Sequence, residues 1–200
     1  MNIFGIAGLP RSGKDTLAEL FVERGYFGVS LGDIVRDEAR YRHKDEFDPI
    51  SVKNMTETSN YLRTSKGADF ALREALRHFE EAGGEKNYRG LVVYSVRAPV
   101  EADFILEHKG QLIWVETSDD VRLSRANLHR REGESVHTLE DMKNQEALQQ
   151  EPQPGIPKEV QMDTSYVKLL ATQAVENNSN DVKEFRQMAL HDLREYLSEK

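Results

Sequence analysis

The segment from residue 8 to residue 16 constrains this chain more than any other. It reads Gly-Leu-Pro-Arg-Ser-Gly-Lys-Asp-Thr, in which two glycines are separated by four residues and a lysine directly follows the second. The apolar residues 2–7 predict a buried strand before it, and residues 15–24 predict a helix that ends at Gly25. A glycine turn between a strand and a helix N-terminus presents backbone N–H groups and the positive end of the helix dipole to an anion. The segment is therefore predicted to be a phosphate-binding loop.

The lysine and the two residues after it set the chemistry expected of this loop. Lys14 is expected to reach the β- and γ-phosphates of a nucleoside triphosphate as a point charge. The next position commonly holds a Ser or Thr whose hydroxyl binds Mg²⁺, whereas here it is Asp15, with the hydroxyl one place later in Thr16. Asp15 either contacts Mg²⁺, directly or through water, or caps the helix. The predicted ATP-binding residues of the loop are Gly8, Arg11, Ser12, Gly13, Lys14, Asp15 and Thr16, with Asp15 and Thr16 as candidate Mg²⁺ ligands.

Length and composition limit the classes of function. The 200 residues predict one domain spanning 1–200, and the net charge of −8 argues against a broad nucleic-acid surface. A nucleic acid is therefore not expected as a partner. No apolar run approaches membrane-spanning length, so a membrane is not expected as a partner either. The chain has no cysteine and enters its first strand without a signal sequence, which fits a cytoplasmic protein that acts on small molecules. The oligomeric state is not predicted.

Strands and helices are predicted to alternate along the chain, which indicates an α/β fold with a parallel sheet. The predicted strands lie at residues 2–7, 26–31, 91–96, 111–117 and 174–176. The predicted helices lie at residues 15–24, 33–43, 56–65, 68–82 and 99–110, begin at residues 119 and 138, and end with one at 181–197.

Two further motifs follow predicted strands, where open α/β sheets bind ligands. In Ser-Leu-Gly-Asp-Ile-Val-Arg, residues 30–36, Asp33 is expected to point into the crevice and Arg36 to bind an anionic acceptor. Arg97, after the third strand, is a second candidate for the acceptor anion. Each motif also has a structural alternative. Residues 30–36 could be a helix cap followed by a surface arginine, and Arg97 could pair with an acidic helix.

The segment 122–131 concentrates positive charge in an acidic protein, with Arg122, Arg125, His129, Arg130 and Arg131. A mobile basic segment could close over the triphosphate, exclude water and neutralise the transferring phosphoryl group, as an arginine finger does. A solvated charged helix is the alternative.

Together these motifs resemble the P-loop nucleoside-monophosphate kinase superfamily. The Gly-x-x-x-x-Gly-Lys-Asp-Thr loop is similar to that of phage-type deoxynucleoside-monophosphate kinases and of animal-type phosphomevalonate kinase. Residues 30–36 resemble the acceptor motif of adenylate kinases. Residues 94–99 resemble the Asp-Gly-x-Arg-x-Pro segment of archaeal adenylate-kinase-like proteins, with the first two residues changed, and residues 174–179 resemble the ending of dephospho-CoA kinases.

The resemblance implies a three-layer P-loop NTPase fold with a five-stranded parallel sheet, helices on both faces, an acceptor-binding helical region at 33–82 and a small lid at 122–137. It implies a kinase that uses ATP with Mg²⁺ and phosphorylates a nucleoside or deoxynucleoside monophosphate or dephospho-CoA. By position, the donor phosphates would be bound by Gly8, Gly13, Lys14 and Thr16, and the acceptor by Arg36 and Arg97. The lid would include Arg125 and Arg130. Asp33 would orient or deprotonate the acceptor hydroxyl or organise Mg²⁺, and the turn 177–179, with Asn178, would lie near adenine. The implied catalytic residues are thus Lys14, Asp33, Arg125 and Arg130.

One position departs from the pattern of the family. Related chains place at the end of the third strand an acid that holds the water shell of Mg²⁺, and this chain has Tyr94 there. Either Asp15 or Asp33 supplies the missing charge, or the chain is a weak or degenerate kinase. The alternative function is therefore an ATP-binding regulatory or interaction module that transfers no phosphate.

Overall fold

A parallel sheet forms the centre of the protein. The computed structural model describes residues 1–128, 137–150, 155 and 157–198. Five strands pair in the order β2-β3-β1-β4-β5, with every pair parallel. Their bounds are β1 Ile3–Ala7, β2 Phe27–Ser30, β3 Leu91–Val96, β4 Gln111–Glu116 and β5 Gln173–Glu176.

Helices connect the strands and cover the sheet. Side-chain oxygens cap several of them: Ser30 accepts from the Asp33 N–H at the start of α2, and Ser51 and Asp163 cap α3 and α8. The helices are α1 Lys14–Glu23, α2 Leu31–Arg42, α3 Val52–Lys66, α4 Phe70–Glu81, α5 Pro99–Glu107, α6 Asp119–Leu128, α7 Leu139–Gln150, α8 Thr164–Leu169, α9 Val182–Asp192 and α10 Arg194–Leu197, with 3-10 turns at Gly84–Lys86 and Lys158–Val160.

Both faces of the sheet are buried, which explains why its inner strands are apolar almost without alternation. On one face, the apolar side chains of α1, α9 and α10, such as Phe21, Phe185 and Leu197, pack in one core. On the other, side chains of α2, α4, α5 and α8, such as Phe79 and Ile105, pack in a second core. The predicted three-layer α/β fold is confirmed.

The connections place the phosphate-binding loop at the point where strand order reverses. From β1 the chain moves towards β2 at one edge, and after β3 it crosses β1 to form β4 and β5. The carboxyl end of β1 therefore opens into a crevice between diverging connections, the usual ligand site of such sheets. No helix in the described ranges is long and apolar enough to span a bilayer.

Most predicted elements are found within a few residues of their expected bounds. The differences are local: α3 begins at Val52 instead of near residue 56, the C-terminal helix divides at Leu193, and the short α8 was not predicted. Helix α8 depends on its Asp163 cap and on the buried Val167, and a six-residue helix offers too few positions for a periodic pattern.

Candidate active site

The phosphate-binding loop has the backbone shape that its glycines predict. Gly13, at the N-cap of α1, has φ 96°, and Arg11 in the middle of the loop has φ 65°. A Cβ at Gly13 would collide with the side-chain amide of Asn177. Glycine is therefore needed at this position both for its left-handed backbone and for the close approach of the turn after β5.

Side chains from three neighbouring segments bind the carbonyl oxygens of the loop. The Ser12 carbonyl accepts from Thr117 Oγ1 at 3.1 Å, from Asn177 Nδ2 at 2.7 Å and from Arg125 Nη1 at 3.2 Å. The Arg11 carbonyl accepts from Arg125 Nη1 at 2.9 Å. Because these bonds occupy the carbonyl groups, the loop is fixed in a shape that leaves its N–H groups for a phosphate. Thr117 and Asn177 were not predicted to be site residues.

Arg122 corrects the prediction of a mobile basic stripe on α6. Its side chain is only 1% exposed and forms an ion pair with Glu146 of α7. It also donates to Asp119 Oδ1 at 2.5 Å and contacts the Pro10 carbonyl at 3.5 Å. The arginine is buried because acids from α6 and α7 converge on it, so it anchors these helices to the loop instead of moving with a lid.

The predicted lid arginines are only partly described. Arg125 donates through Nη2 to Asn177 Oδ1 at 2.9 Å and to the Ser179 carbonyl at 2.6 Å, in addition to its bonds with the loop. In this arrangement Arg125 joins the phosphate-binding loop to the turn after β5, and its catalytic role stays a prediction. Arg130 and the rest of 129–136, the middle of the predicted lid, lie outside the described residues.

A polar pocket lies beside the loop and matches the region expected for the nucleoside of ATP. Two residues of the predicted turn 177–179, Asn177 and Ser179, line this pocket, whereas Asn178 Oδ1 accepts from the Ser118 N–H at 2.8 Å. The ATP-binding role of Asn178 stays a prediction. The residues that line the pocket are Arg11, Gly13, Asp15, Thr16, Arg125, Leu128, Asn177, Ser179, Asn180, Val182 and Phe185.

Lys14 is held in a buried and positive environment. Its residue exposure is 6%, and its pKa is lowered from 10.5 to about 8, with burial as the largest cause. The neighbouring charges of Arg97, Arg11 and Arg122 contribute to this lowering, while Asp15 opposes it. A bound polyphosphate would stabilise the protonated amine.

We expect ATP affinity to depend on pH through Lys14. Phosphates raise the pKa of this amine on binding, so the affinity should be constant below about pH 8 and fall, by up to about tenfold per pH unit, above it. Calorimetric titrations in buffers of different ionisation enthalpy should show proton uptake above pH 8. Lys14→Arg provides the control, since arginine stays charged. An unchanged pH profile in this variant would assign the effect to another group.

Asp33 and Arg36 form an ion pair with each other on the first turn of α2. This corrects the expectation that Asp33 points freely into the crevice: its carboxylate is about half exposed and is bound to Arg36. Arg36 also lies close enough to Arg97 to lower the pKa of the Arg97 guanidinium, although burial is the larger cause. The structure therefore brings both predicted acceptor arginines to the same end of the sheet as Lys14.

Tyr94 lies close enough to Asp15 for the charge of this carboxylate to act on its phenol. Burial raises the pKa of the Tyr94 phenol, and the negative charges of Asp15 and Glu19 raise it further. The hydroxyl is therefore protonated at neutral pH and cannot replace a metal-binding carboxylate. The Asp15 carboxylate is exposed, and Thr16 lies next to it in the first turn of α1. Within the described ranges no three acidic or histidine side chains cluster as a metal site.

The strand that carries Tyr94 contains a bulge. Ile6 pairs with Tyr94 but Ala7 pairs with Val96, so Ser95 has no partner residue on β1. Ser95 has φ 64°, a left-handed conformation that suits glycine better than serine. Residues 94–99 resemble the Asp-Gly-x-Arg-x-Pro segment, in which a glycine stands at the position of Ser95. A glycine there would adopt this backbone without strain.

A buried ion pair next to Arg97 was not predicted. Arg63 Nη2 of α3 donates to Glu101 Oε1 at 3.0 Å, and Glu101 Oε2 accepts from the backbone N–H groups of Arg97 at 2.8 Å and Ala98 at 3.0 Å. A glutamate three residues after Ala98, with Pro99 between them, was a visible helix-start signal for Glu101. No local signal could identify Arg63, because its partner lies 38 residues away.

Several archaeal proteins are similar in sequence to this chain. A UPF0200 protein of Pyrobaculum aerophilum is 33% identical over 127 residues, 62% of this chain and 64% of that protein. A UPF0200/UPF0201 protein of Archaeoglobus fulgidus is 28% identical over 149 residues, 73% of this chain and 44% of that protein. The matches thus span less than two thirds of the length of either relative.

Solved structures share the fold at low sequence identity. A shikimate kinase from Bacteroides thetaiotaomicron superposes with a TM-score of 0.54 at 10% identity and 98% coverage of both chains. TT1252 from Thermus thermophilus superposes with a TM-score of 0.50 at 20% identity, covering 96% of this chain and 97% of that one. A family model described as an AAA domain matches residues 5–150. Because this match covers more than half of the sequence, the chain belongs to that AAA-domain family of P-loop NTPases.

Proposed function

We propose that this protein is an ATP-dependent kinase that transfers the γ-phosphoryl group to a small, nucleotide-like acceptor. The observation that carries the proposal is the position of Arg97, which directly follows β3, lines a cavity there and lowers the pKa of Lys14 by its charge. A protein that only binds ATP needs one anion site. Here a second cationic group lies beside the lysine that is expected to hold the γ-phosphate.

In the proposed reaction an acceptor oxygen attacks the γ-phosphorus, the bond between this phosphorus and the β–γ bridging oxygen breaks, and ADP leaves. A hydroxyl acceptor would pass its proton to Asp33, whereas an ionised phosphate acceptor has no proton to lose. Lys14 and the N–H groups of the loop hold the donor phosphates, while Arg36 and Arg97 hold the acceptor. Mg²⁺ bound with ATP supplies neutralising charge, and Asp15 and Thr16 are the residues that would hold it. Rate enhancement comes mainly from positioning and charge stabilisation. The helical region 33–82 is proposed as the acceptor-binding region. The predicted lid at 122–137 is kept as a proposal without the anchored Arg122.

The proposed acceptors are nucleoside and deoxynucleoside monophosphates and dephospho-CoA. The test measures ADP release from MgATP with each acceptor in turn, and with each acceptor omitted. We expect at least one acceptor to stimulate ADP release, and Lys14→Ala to abolish the stimulation. ATP binding without stimulation by any acceptor would refute the kinase.

The alternative is an ATP-binding regulatory or interaction module, and Tyr94 is the specific feature that favours it. A tyrosine at the end of β3 provides no carboxylate for the water shell of Mg²⁺. The ion pair between Asp33 and Arg36 is compatible with either function. The ADP-release assay separates them, since the module predicts ATP affinity with no acceptor-dependent turnover.

We expect Asp15→Ser to raise the Mg²⁺ concentration that gives half-maximal activity by about tenfold. The reason is that the substitution removes a hard anionic ligand whose charge acts on Tyr94. The measurement is an Mg²⁺ titration at fixed ATP. Adding Tyr94→Asp should restore much of the lost Mg²⁺ affinity, since it places a carboxylate on β3, near the one that was removed. An unchanged Mg²⁺ dependence in Asp15→Ser would mean that Asp15 does not bind Mg²⁺ and only caps the helix.

A further inference from the structure

A buried ion pair joins α6 to α7 beside the phosphate-binding loop. The side chains of Arg122 and Glu146 are 1% and 7% exposed. Arg122 donates through Nη1 to Glu146 Oε1 and through Nη2 to Glu146 Oε2 at 3.4 Å. We infer that Glu146 is a positioning residue for the donor site, which acts through Arg122 on the shape of the phosphate-binding loop and on the charge around Lys14. The inference rests on the ATP-binding part of the proposed function and holds whether or not phosphoryl transfer follows.

Stability alone does not account for the burial of this pair. Two charges that are removed from water usually contribute no more stability than apolar residues of the same size. In the part of the chain that the structure describes, the Arg122 Nε is also buried without a hydrogen-bond partner, which adds to the cost. Arrangements that lower stability in this way are typical of functional sites. The neighbourhood of the pair therefore has to supply the reason for it.

The first effect of the pair is on the backbone of the phosphate-binding loop. Arg122 Nη1 lies 3.5 Å from the carbonyl oxygen of Pro10, the residue before Arg11 with its left-handed φ of 65°. The peptide bonds that the structure describes are all trans, so the Pro10 C=O and the Arg11 N–H point in opposite directions. A guanidinium held on this carbonyl therefore directs the Arg11 N–H away from α6. Because N–H groups of such a loop bind the phosphate, Glu146 helps to set their direction from the side of α7.

The second effect is on the charge around Lys14. Arg122 is close enough to be one of the charges that lower the pKa of Lys14, although burial is the largest cause. Asp119 and Glu146 both pair with Arg122, but the Asp119 side chain is 41% exposed and that of Glu146 only 7%. Glu146 is therefore the less screened of the two carboxylates. Loss of its charge would leave Arg122 less neutralised and lower the pKa of Lys14 further.

Helix α7 can hold Glu146 in place because it is fixed at several points. It packs against α3 and α8 as well as against α6. Just before it, the His137 backbone accepts from Asn127 Nδ2 at 3.1 Å and donates to Asn127 Oδ1 at 2.9 Å. Lys143 Nζ lies 3.4 Å from Asp119 Oδ2, in an exposed ion pair between the same two helices. This second pair provides a comparison with the buried one.

The test measures ATP affinity by calorimetry as a function of pH, together with the thermal unfolding midpoint, in the wild type and three variants. Arg122→Met/Glu146→Leu replaces the pair with apolar residues of similar size, a change that usually keeps or raises stability. Glu146→Gln removes the charge but keeps an oxygen that can accept from Arg122. Lys143→Gln is the matched control, because it removes the exposed pair between the same helices.

We expect the double variant to keep its unfolding midpoint but to bind ATP about tenfold or more weakly at pH 7, the loss of about one charge-assisted hydrogen bond. Glu146→Gln should lower the pH at which ATP affinity begins to fall from the wild-type value of about 8. Lys143→Gln should leave both the affinity and this pH unchanged.

Wild-type ATP affinity in a folded double variant would make the pair a structural connection alone and overturn the inference. An unmoved pH profile in Glu146→Gln would overturn it as well, and this result decides if the double variant does not fold. A wild type that binds no ATP would contradict the proposed function and the inference together. The expected changes in ATP binding without acceptor-dependent turnover would contradict only the proposed kinase.

Discussion

Lys14→Met is expected to lower the acceptor-dependent rate of ADP release by about 100- to 1000-fold, because it removes a preorganised positive charge from the donor phosphates. The measurement is kcat at saturating MgATP and acceptor. Methionine keeps an unbranched apolar stem of similar length in this buried position, so the loss would report the charge and not the packing.

The control for Lys14→Met is a measurement of the variant's stability by its thermal unfolding midpoint. Because the folded-state pKa of Lys14 is lowered to about 8, the charged amine is less stable in the folded protein than in the unfolded chain near neutral pH. This cost is present below about pH 8 and disappears as the pH rises towards 10.5. Lys14→Met should therefore raise the unfolding midpoint at pH 7 while abolishing turnover. A variant that lost activity together with stability would not support a specific role for the charge.

Arg97→Met is expected to lower kcat/KM for the acceptor by about 100-fold or more, since a bidentate contact with an anion contributes two charge-assisted hydrogen bonds. Arg36→Ala should also weaken use of the acceptor more than ATP binding. Steady-state kinetics with acceptor varied, and direct ATP titration, separate the two effects. Equal damage to ATP binding and acceptor use would show that these arginines do not form an acceptor site.

Arg97→Met makes a second, independent prediction. Removal of its charge should raise the pKa of Lys14, because Arg97 is the strongest neighbouring charge that lowers it. The pH at which ATP affinity begins to fall should then move upward from about 8. An unmoved pH profile would mean that the two side chains are too far apart to cooperate in one transfer.

The sequence was most informative where structure is local. The glycine spacing and the apolar runs predicted the strands, the loop and most helices, because each depends on residues within a few positions. The five-stranded parallel sheet and the helices on both of its faces followed from the resemblance and are confirmed, whereas the order of the strands was not predicted.

The sequence was least informative where a side chain meets a distant partner. Arg122 stood in a basic run and looked exposed, but Glu146, 24 residues later, buries it. Arg63 had no distinguishing neighbour, and its role emerges only where α3 approaches the start of α5. Likewise Asn177 and Asn178 cannot be told apart in sequence, yet only Asn177 bonds with the phosphate-binding loop. Such contacts depend on tertiary packing, which periodicity and spacing do not encode.

The most direct test of the account follows the γ-phosphoryl group itself. ATP labelled in the γ-phosphate is incubated with the protein, Mg²⁺ and a nucleoside monophosphate, and the products are separated by chromatography. Appearance of the label in the corresponding diphosphate, and its loss in Lys14→Met, is the predicted result. Label found only in inorganic phosphate or retained in ATP, across nucleoside and deoxynucleoside monophosphates and dephospho-CoA alike, would contradict phosphoryl transfer to an acceptor.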